Sequence, residues 1–347
     1  MRGDAERLPE VRGRLRLREA GLSFFQLPFK GKGVIIDEKW SIMQTRAEAV
    51  MKLVTFAVER RIRVGVISKD GEWVFPIESV DMEYKTMLEA VKNMGESEKQ
   101  MLLYISGKEP YSIHGAARLS EVKLLAPIPV PEQDVICLGI NYMAHAEESA
   151  RYKKEAFGGE RPYAVYFSKR VNEAVADGEP IPSHSDIVDS LDYEAELAAV
   201  IGKDAKDVKP EDVKDYIFGY TILNDVSARN VQTRHKQWYF GKSLDGFTPM
   251  GPCILTADSV PYPPCLQVQS YVNGELRQDS NTELLIFGLD HVVSELSRGM
   301  TLKAGTIIST GTPAGVGMGF TPPKFLKSGD VVTCRIEGIG EITNPVV

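Results

Sequence analysis

Three acids in two short stretches have the type and spacing to hold a hard cation. In Asp192-Tyr193-Glu194-Ala195-Glu196-Leu197, the two glutamates stand two apart, so a strand would carry them on one face, with Asp192 on that same face. The apolar run Leu197-Ala198-Ala199-Val200-Ile201, stopped by Gly202, predicts a strand that passes from a polar mouth into a core. Side-by-side carboxylates repel and are costly to bury unpaired, so something positive belongs between them. A third acid, Asp225 in Asn224-Asp225-Val226-Ser227-Ala228-Arg229, follows a second apolar run, Phe218 to Leu223. Glu194, Glu196 and Asp225 together make an all-oxygen set suited to Mg²⁺ or Mn²⁺. The competing reading is a solvated strand end with exposed acids.

Acid–base chemistry has its own candidates. In Asn141-Tyr142-Met143-Ala144-His145-Ala146-Glu147-Glu148, His145 and Glu148 are three apart. On a helix they share a face, and the carboxylate could orient the imidazole as a base; an exposed surface contact is the alternative. Lys169 ends the strand Ala164 to Phe167, and Lys242 follows Trp238-Tyr239-Phe240-Gly241. Either could clamp a substrate carboxylate, although lysines more commonly snorkel at a surface. Thr306 to Thr310 runs into Gly311-Thr312-Pro313-Ala314-Gly315-Val316-Gly317, the pattern of a strand opening into a glycine-rich anion loop. No Gly-Lys-Ser/Thr follows and dinucleotide spacing is absent, so a nucleotide site is not expected.

These residues need a scaffold, and the chain of 347 residues has room for one large domain and one small one. Composition is that of a globular protein, 43% apolar and 26% charged, and a net charge of −7 argues against a nucleic-acid partner. Cys137, Cys253, Cys265 and Cys334 show neither a metal-binding pair spacing nor a small secreted frame. A reducing, cytoplasmic setting is therefore expected, without disulfides. No apolar stretch approaches the roughly 18 residues of a membrane span. Residues 1–50, where Arg12, Arg14, Arg16 and Arg18 alternate with other residues, keep no period and read as a poorly packed extension. From Met51 a small α/β module is expected through residue 125: strands at 53–58, 64–67 and 73–75, a hairpin at Asp70-Gly71, and a helix from Tyr84 stopped by Gly95. Pro127, Pro129 and Pro131 lead stiffly into residues 126–347, which read as mostly β with few long helices. The loop Lys153 to Arg161 has the length of an active-site lid.

Taken in order, Gly139-x-Asn141-Tyr142-x-x-His145, Phe167-Ser168-Lys169, Asp192-x-Glu194-x-Glu196, Asn224-Asp225-Val226-Ser227-Ala228-Arg229, Gly241-Lys242-Ser243 and Thr310-Gly311-Thr312-Pro313-x-Gly315-Val316-Gly317 resemble the fumarylacetoacetate hydrolase family. The likeness covers about residues 130–347 and is weaker from Met51. It implies an α+β, mostly β fold built as a mixed β-sandwich roll, with a small N-terminal α/β module, and usually a homodimer. It also implies a small-molecule 2-oxo or β-diketo acid substrate, with Glu194, Glu196 and Asp225 as metal ligands and His145 with Glu148 as a water-activating pair. Lys169, Arg229, Gln232, Lys242 and Thr312 would form the substrate pocket, with Lys242 also assisting catalysis. Arg170 departs from the proline common after that lysine in relatives. The expected activity is metal-dependent hydrolysis of a carbon–carbon bond in an acylpyruvate or fumarylacetoacetate-like acid. Decarboxylation of oxaloacetate and isomerisation or hydration of a dienoate on the same metal site are the alternatives, and a non-catalytic binding protein the remote one.

Overall fold

The run Ala195–Ile201 is apolar at almost every position, which suits a strand covered on both faces. In the computed structural model, which describes residues 50–153, 159 and 162–347, all seven of its residues are buried. Numbered in chain order, the first strands are β1 (Lys52–Val58), β2 (Arg61–Ile67), β3 (Trp73–Pro76), β4 (Ala117–Arg118), β5 (Lys123–Leu125), β6 (Val135–Gly139) and β7 (Val165–Lys169). Then come β8 (Leu191–Asp192), β9 (Ala195–Ile201), β10 (Ile217–Asn224), β11 (Ser227–Ala228) and β12 (Met250–Thr256). The last are β13 (Gln267–Val272), β14 (Glu275–Asn281), β15 (Ile307–Ser309), β16 (Val331–Ile336) and β17 (Gly340–Pro345). The helices are α1 (Met87–Asn93), α2 (Glu96–Ser106), α3 (Met143–Lys153), α4 (Arg229–Arg234), α5 (Tyr239–Lys242) and α6 (Leu289–Gly299).

One sheet of eleven strands runs β4-β3-β2-β1-β12-β10-β9-β15-β6-β7, with β5 also on β1. It is mixed because β15 and β6 pair in parallel while their neighbours pair antiparallel. A second sheet, β14-β13-β16-β17, lies over one face. Alternation along β9 explains the layers. Leu197, Ala199 and Ile201 join Val268, Val332 and Ile336 of the second sheet, whereas Ala198 and Val200 join Met87, Val91 and Leu102 of α1 and α2. Each fully buried aliphatic side chain of this kind contributes about 1.5–3 kcal/mol, so the two layers hold β9 and β10 in place from both sides.

The strand pattern from Met51 is observed, and residues 51–125 continue the sheet rather than closing on themselves, since β1 pairs with β12 through Lys52–Leu255 and Leu53–Ile254. Gly95 does not simply end a helix: α1 stops at Asn93, and Gly95 caps the start of α2, its N–H donating to Glu98 Oε2. The strand expected from Asp192 to Leu197 is broken. Asp192 belongs to the short β8–β11 bridge, paired with Ser227, and β9 begins at Ala195. The expected extension, apart from Val50, and the expected lid, apart from Lys153 and Gly159, lie outside the described residues. Among the described residues no helix is long and apolar enough to cross a membrane.

Candidate active site

The acids meet where β9 and β10 end side by side. Pairing of Leu223 with Glu196 and of Asn224 with Ala195 sets the register. Beyond the ladder, Glu194 N–H donates to Asn224 Oδ1 (3.0 Å) and Asp225 N–H to the Glu194 carbonyl (2.9 Å), which locks the two acid-bearing segments together. Glu194, Glu196 and Asp225 are all buried and each offers a carboxylate oxygen within 4.8 Å of the others. A solvated strand end is thereby replaced by a closed acidic nest.

Cations already answer part of its charge. Lys242 donates to Glu194 Oε2 (2.7 Å) and Asp225 Oδ2 (2.6 Å), so its ammonium stands in at two of the three acids. Arg229 Nη2 lies 2.7 Å from Glu194 Oε1, close but off the hydrogen-bond axis, while its Nε donates to Asp192 Oδ2 at 2.9 Å. Burial pushes the Glu194 carboxyl up, but Lys242 and then Arg229 outweigh it and hold the group well below the ordinary carboxylate range. Glu196 goes the other way. Burial first, then the charges of Asp225 and Glu194, push its carboxyl well above that range. Its Oε2 accepts from Ser309 Oγ (2.6 Å) and Gly311 N–H (2.9 Å), and among the described residues no full positive charge pairs with it directly. A dication coordinated by these three oxygens is the partner that such a set lacks, so the residues fit a hard divalent metal.

Lys169, expected in the substrate pocket, lies behind the nest. It is fully buried and spends its three N–H bonds on Asp225 Oδ1 (2.8 Å), the Val226 carbonyl and the Lys242 carbonyl. It positions Asp225 and does not reach the cavity. The N–H of Arg170, which a proline would lack, donates to Ser243 Oγ at 3.0 Å.

The cavity itself encloses about 890 Å³ and is lined by His145, Glu194, Glu196, Arg229, Gln232 and Lys242, among others. Thr312 also lines it, although its hydroxyl donates to the Ala195 carbonyl (3.0 Å) and accepts from Gln278 (2.7 Å). Gln232 Oε1 accepts from Arg229 Nη1 at 3.2 Å. On α3, His145 and Glu148 do share a face and both are buried, with Nδ1 of the ring 3.4 Å from Glu148 Oε2. The other oxygen of Glu148 accepts from Gly315 N–H at 2.8 Å.

That last bond reveals what the glycine-rich loop does. It binds anions, as its pattern suggests, but the anions belong to the protein. Gly311 serves Glu196, Gly315 serves Glu148, and Gly317 N–H (2.6 Å) and Met318 N–H (3.1 Å) serve Asp192. The approach is too close for a side chain: a Cβ on Gly319 would lie 2.2 Å from Glu148 Oε1. The sequence pattern marks Asp192 only as a neighbour of Glu194 and Glu196, yet it accepts four hydrogen bonds, from Tyr193, Gly317, Met318 and Arg229. Also missed were Trp238, Met318, Arg234, Lys236 and Lys153 on the cavity wall, which no local pattern marks.

Glu194, Glu196, His145 and Lys242 line one cavity, with Asp225 and Glu148 buried directly behind them, an arrangement suited to chemistry on ketonic acids. Residues 134–347 match the family model described as Fumarylacetoacetate (FAA) hydrolase C-terminal, and the chain belongs to that family, whose members include hydrolases, isomerases and tautomerases. It is 48% identical over 228 residues to the oxaloacetate tautomerase YisK of Bacillus subtilis, covering 66% of this chain and 74% of that one. It is 38% identical over 290 residues to the mitochondrial oxaloacetate tautomerase fahd2 of Xenopus laevis, covering 82% and 86% respectively. Among solved structures, a maleylpyruvate hydrolase from Sphingobium, in complex with manganese (II) and pyruvate, superposes with a TM-score of 0.67 at 28% identity, over 86% of this chain and 99% of that one.

Proposed function

We propose that this enzyme interconverts the keto and enol forms of a 2-oxo acid, with oxaloacetate as the leading candidate and Mg²⁺ or Mn²⁺ held by Glu194, Glu196 and Asp225. The observation that carries the proposal is the meeting of buried His145 with Glu194, Glu196 and Lys242 on one cavity, a proton carrier beside a site for positive charge. Tautomerisation asks for little more. A proton leaves the carbon next to the carbonyl, the electron pair moves to the 2-oxygen, and a proton arrives there. The two named tautomerases support the substrate, and the manganese in the Sphingobium hydrolase supports the metal.

A bound dication would supply the charge that draws in the 2-oxo and carboxylate oxygens and stabilises the enolate, worth several kcal/mol. His145 takes the carbon-bound proton while Glu148, pinned by Gly315, holds its ring. Lys242 has one N–H left after its two acids and offers it to the developing oxyanion. Arg229 and Gln232 line the path for the substrate carboxylate. The reading includes a homodimer, as the family resemblance implies, and a reducing cytoplasm, as the cysteine pattern suggests; light scattering of the purified protein checks the first part.

Hydrolysis of an acylpyruvate is the second reading, favoured by the His145–Glu148 pair, which suits activation of a water, and by the Sphingobium hydrolase. One experiment separates the two. With Mn²⁺, the decay of enol absorbance of oxaloacetate is followed beside product analysis for acylpyruvates, in the parent and in His145→Ala. Tautomerisation faster than with Mn²⁺ alone, falling about 10²- to 10⁴-fold in the variant, supports the proposal. Acylpyruvate cleavage without enhanced tautomerisation, or rapid release of CO₂ from oxaloacetate, would overturn it in favour of a hydrolase or a decarboxylase.

A further inference from the structure

At the inner end of the cavity the cations Lys242 and Arg229 each face an acid, but the cations at its mouth do not. Three cations stand there, Lys153 at the end of α3, Arg234 at the end of α4 and Lys236 two residues on, and all three are exposed and line the cavity. Among the described residues no acid pairs with any of them; Asp189, the one acid lining this outer part, receives Ser190 Oγ. Lys153 reaches over the Trp238 ring, 5.8 Å from its centroid, so it stands on the same side as the segment bearing Lys236. Lys236 holds a left-handed backbone, φ 60°, a conformation a lysine enters only when its surroundings impose it.

Helix α4 links the two ends. Arg229, at its start, is buried against Glu194, and Arg234 lies five residues on, about 7.5 Å along the axis at 1.5 Å per residue. Asn230 and Arg234, four apart, share one face beside that of Arg229, Gln232 and Thr233, and all five line the cavity. Helix α4 therefore runs from the nest toward the mouth, and a short acid held at the nest by its 2-oxo carboxylate would extend along it.

We propose that Arg234 and Lys236, assisted by Lys153, form a second anion site that binds the distal carboxylate of the substrate. The enzyme is thereby selective for dicarboxylic over monocarboxylic 2-oxo acids. This rests on the reading that the nest takes a 2-oxo acid. Arginine suits the role, since its planar fork can bind a carboxylate through two parallel bonds, with lysine as a point charge beside it.

The test is calorimetric binding of oxaloacetate and of pyruvate to the Mn²⁺-loaded protein, in the parent and in Arg234→Gln, Lys236→Gln and the double variant. Both residues are exposed, so the variants keep the fold, which circular dichroism verifies. The parent should bind the diacid more tightly than the monoacid, and each single change should reduce that ratio by about tenfold, the scale of one charge-assisted hydrogen bond. Loss of the preference in a protein that does not tautomerise oxaloacetate would uphold the second site while rejecting the proposed reaction. Equal binding of both acids by the parent, or an unchanged ratio in the double variant, would overturn the second site whatever the reaction.

Discussion

Replacing Asp192 by asparagine tests whether one buried carboxylate ties the acid nest to the glycine loop. The amide keeps the shape but accepts on one side only. Oδ1 now takes Tyr193 N–H and Gly317 N–H, and Oδ2 takes Met318 N–H and Arg229 Nε, so whichever way the amide turns, two buried donors face an NH₂. Each orphaned donor costs about 1–3 kcal/mol, and removing one partner of a buried ion pair about 3–5 kcal/mol. These overlap, and Arg229 keeps Glu194, so the expected loss is about 3–5 kcal/mol. At about 2–4 °C per kcal/mol for chains of roughly this size, the melting midpoint should fall by roughly 6 to 20 °C. The assay is urea and thermal unfolding of the parent, Asp192→Asn and Glu147→Gln, the last an exposed acid on α3. Activity is compared at a temperature where all are folded, and should fall in Asp192→Asn alone because the turn behind Glu148 loosens. A loss below about 1 kcal/mol, or one matching Glu147→Gln, would refute the claim that Asp192 joins the two segments.

Glu194→Gln, Glu196→Gln and Asp225→Asn should each weaken Mn²⁺ by more than the about 10- to 100-fold that outer partners of a metal typically cost; unchanged affinity in all three would remove the metal from the site. Mn²⁺ binding should release a proton wherever Glu196 is still protonated in the metal-free protein, because burial and then the neighbouring acids hold its carboxyl above the usual range. Affinity therefore rises with pH until that group is ionised and then levels, which calorimetry in buffers of different ionisation enthalpy reads directly; a flat profile with no proton release contradicts the assignment. Gly319→Ala should push Glu148 from His145, lowering turnover by on the order of tenfold or more while leaving Mn²⁺ affinity near that of the parent. Parent-like turnover would show that Glu148 is not held where it matters.

Much of this was legible because the chemistry is concentrated in short motifs. Glu194 and Glu196 declare themselves by period two beside an unbroken apolar run, and the pairing of Leu223 with Glu196 delivers Asp225 from the next strand. His145 and Glu148 needed only helical spacing. What sequence could not give was distance across the fold. Lys169 ends a strand as a clamping residue would, yet where its amine goes depends on carbonyls at Val226 and Lys242. The break after Asp192 escaped notice because alternation alone cannot reveal that a side chain turns to an arginine 37 positions away. The pattern of the glycine loop is that of an anion loop, but nothing in Gly311 to Gly317 says whether the anion is a guest or part of the chain. Residues 51–125 read as a module, since the bond between β1 and β12 joins segments some 200 residues apart.

That loop carries a consequence for how such an enzyme can diversify. Because Gly311, Gly315 and Gly317 each grip a different working acid, Glu196, Glu148 and Asp192, any drift in the loop moves three parts of the machinery at once. It behaves as a common datum against which Glu196 of the acid triad, the Glu148 partner of His145 and, through Asp192, Arg229 are all measured, so errors there cannot be corrected one at a time. The cavity mouth is under no such constraint. Arg234, Lys236 and Lys153 are exposed and tied to none of these acids, so on the proposed binding mode single substitutions there would retune recognition of the substrate's far end while the loop-held acids stay in register.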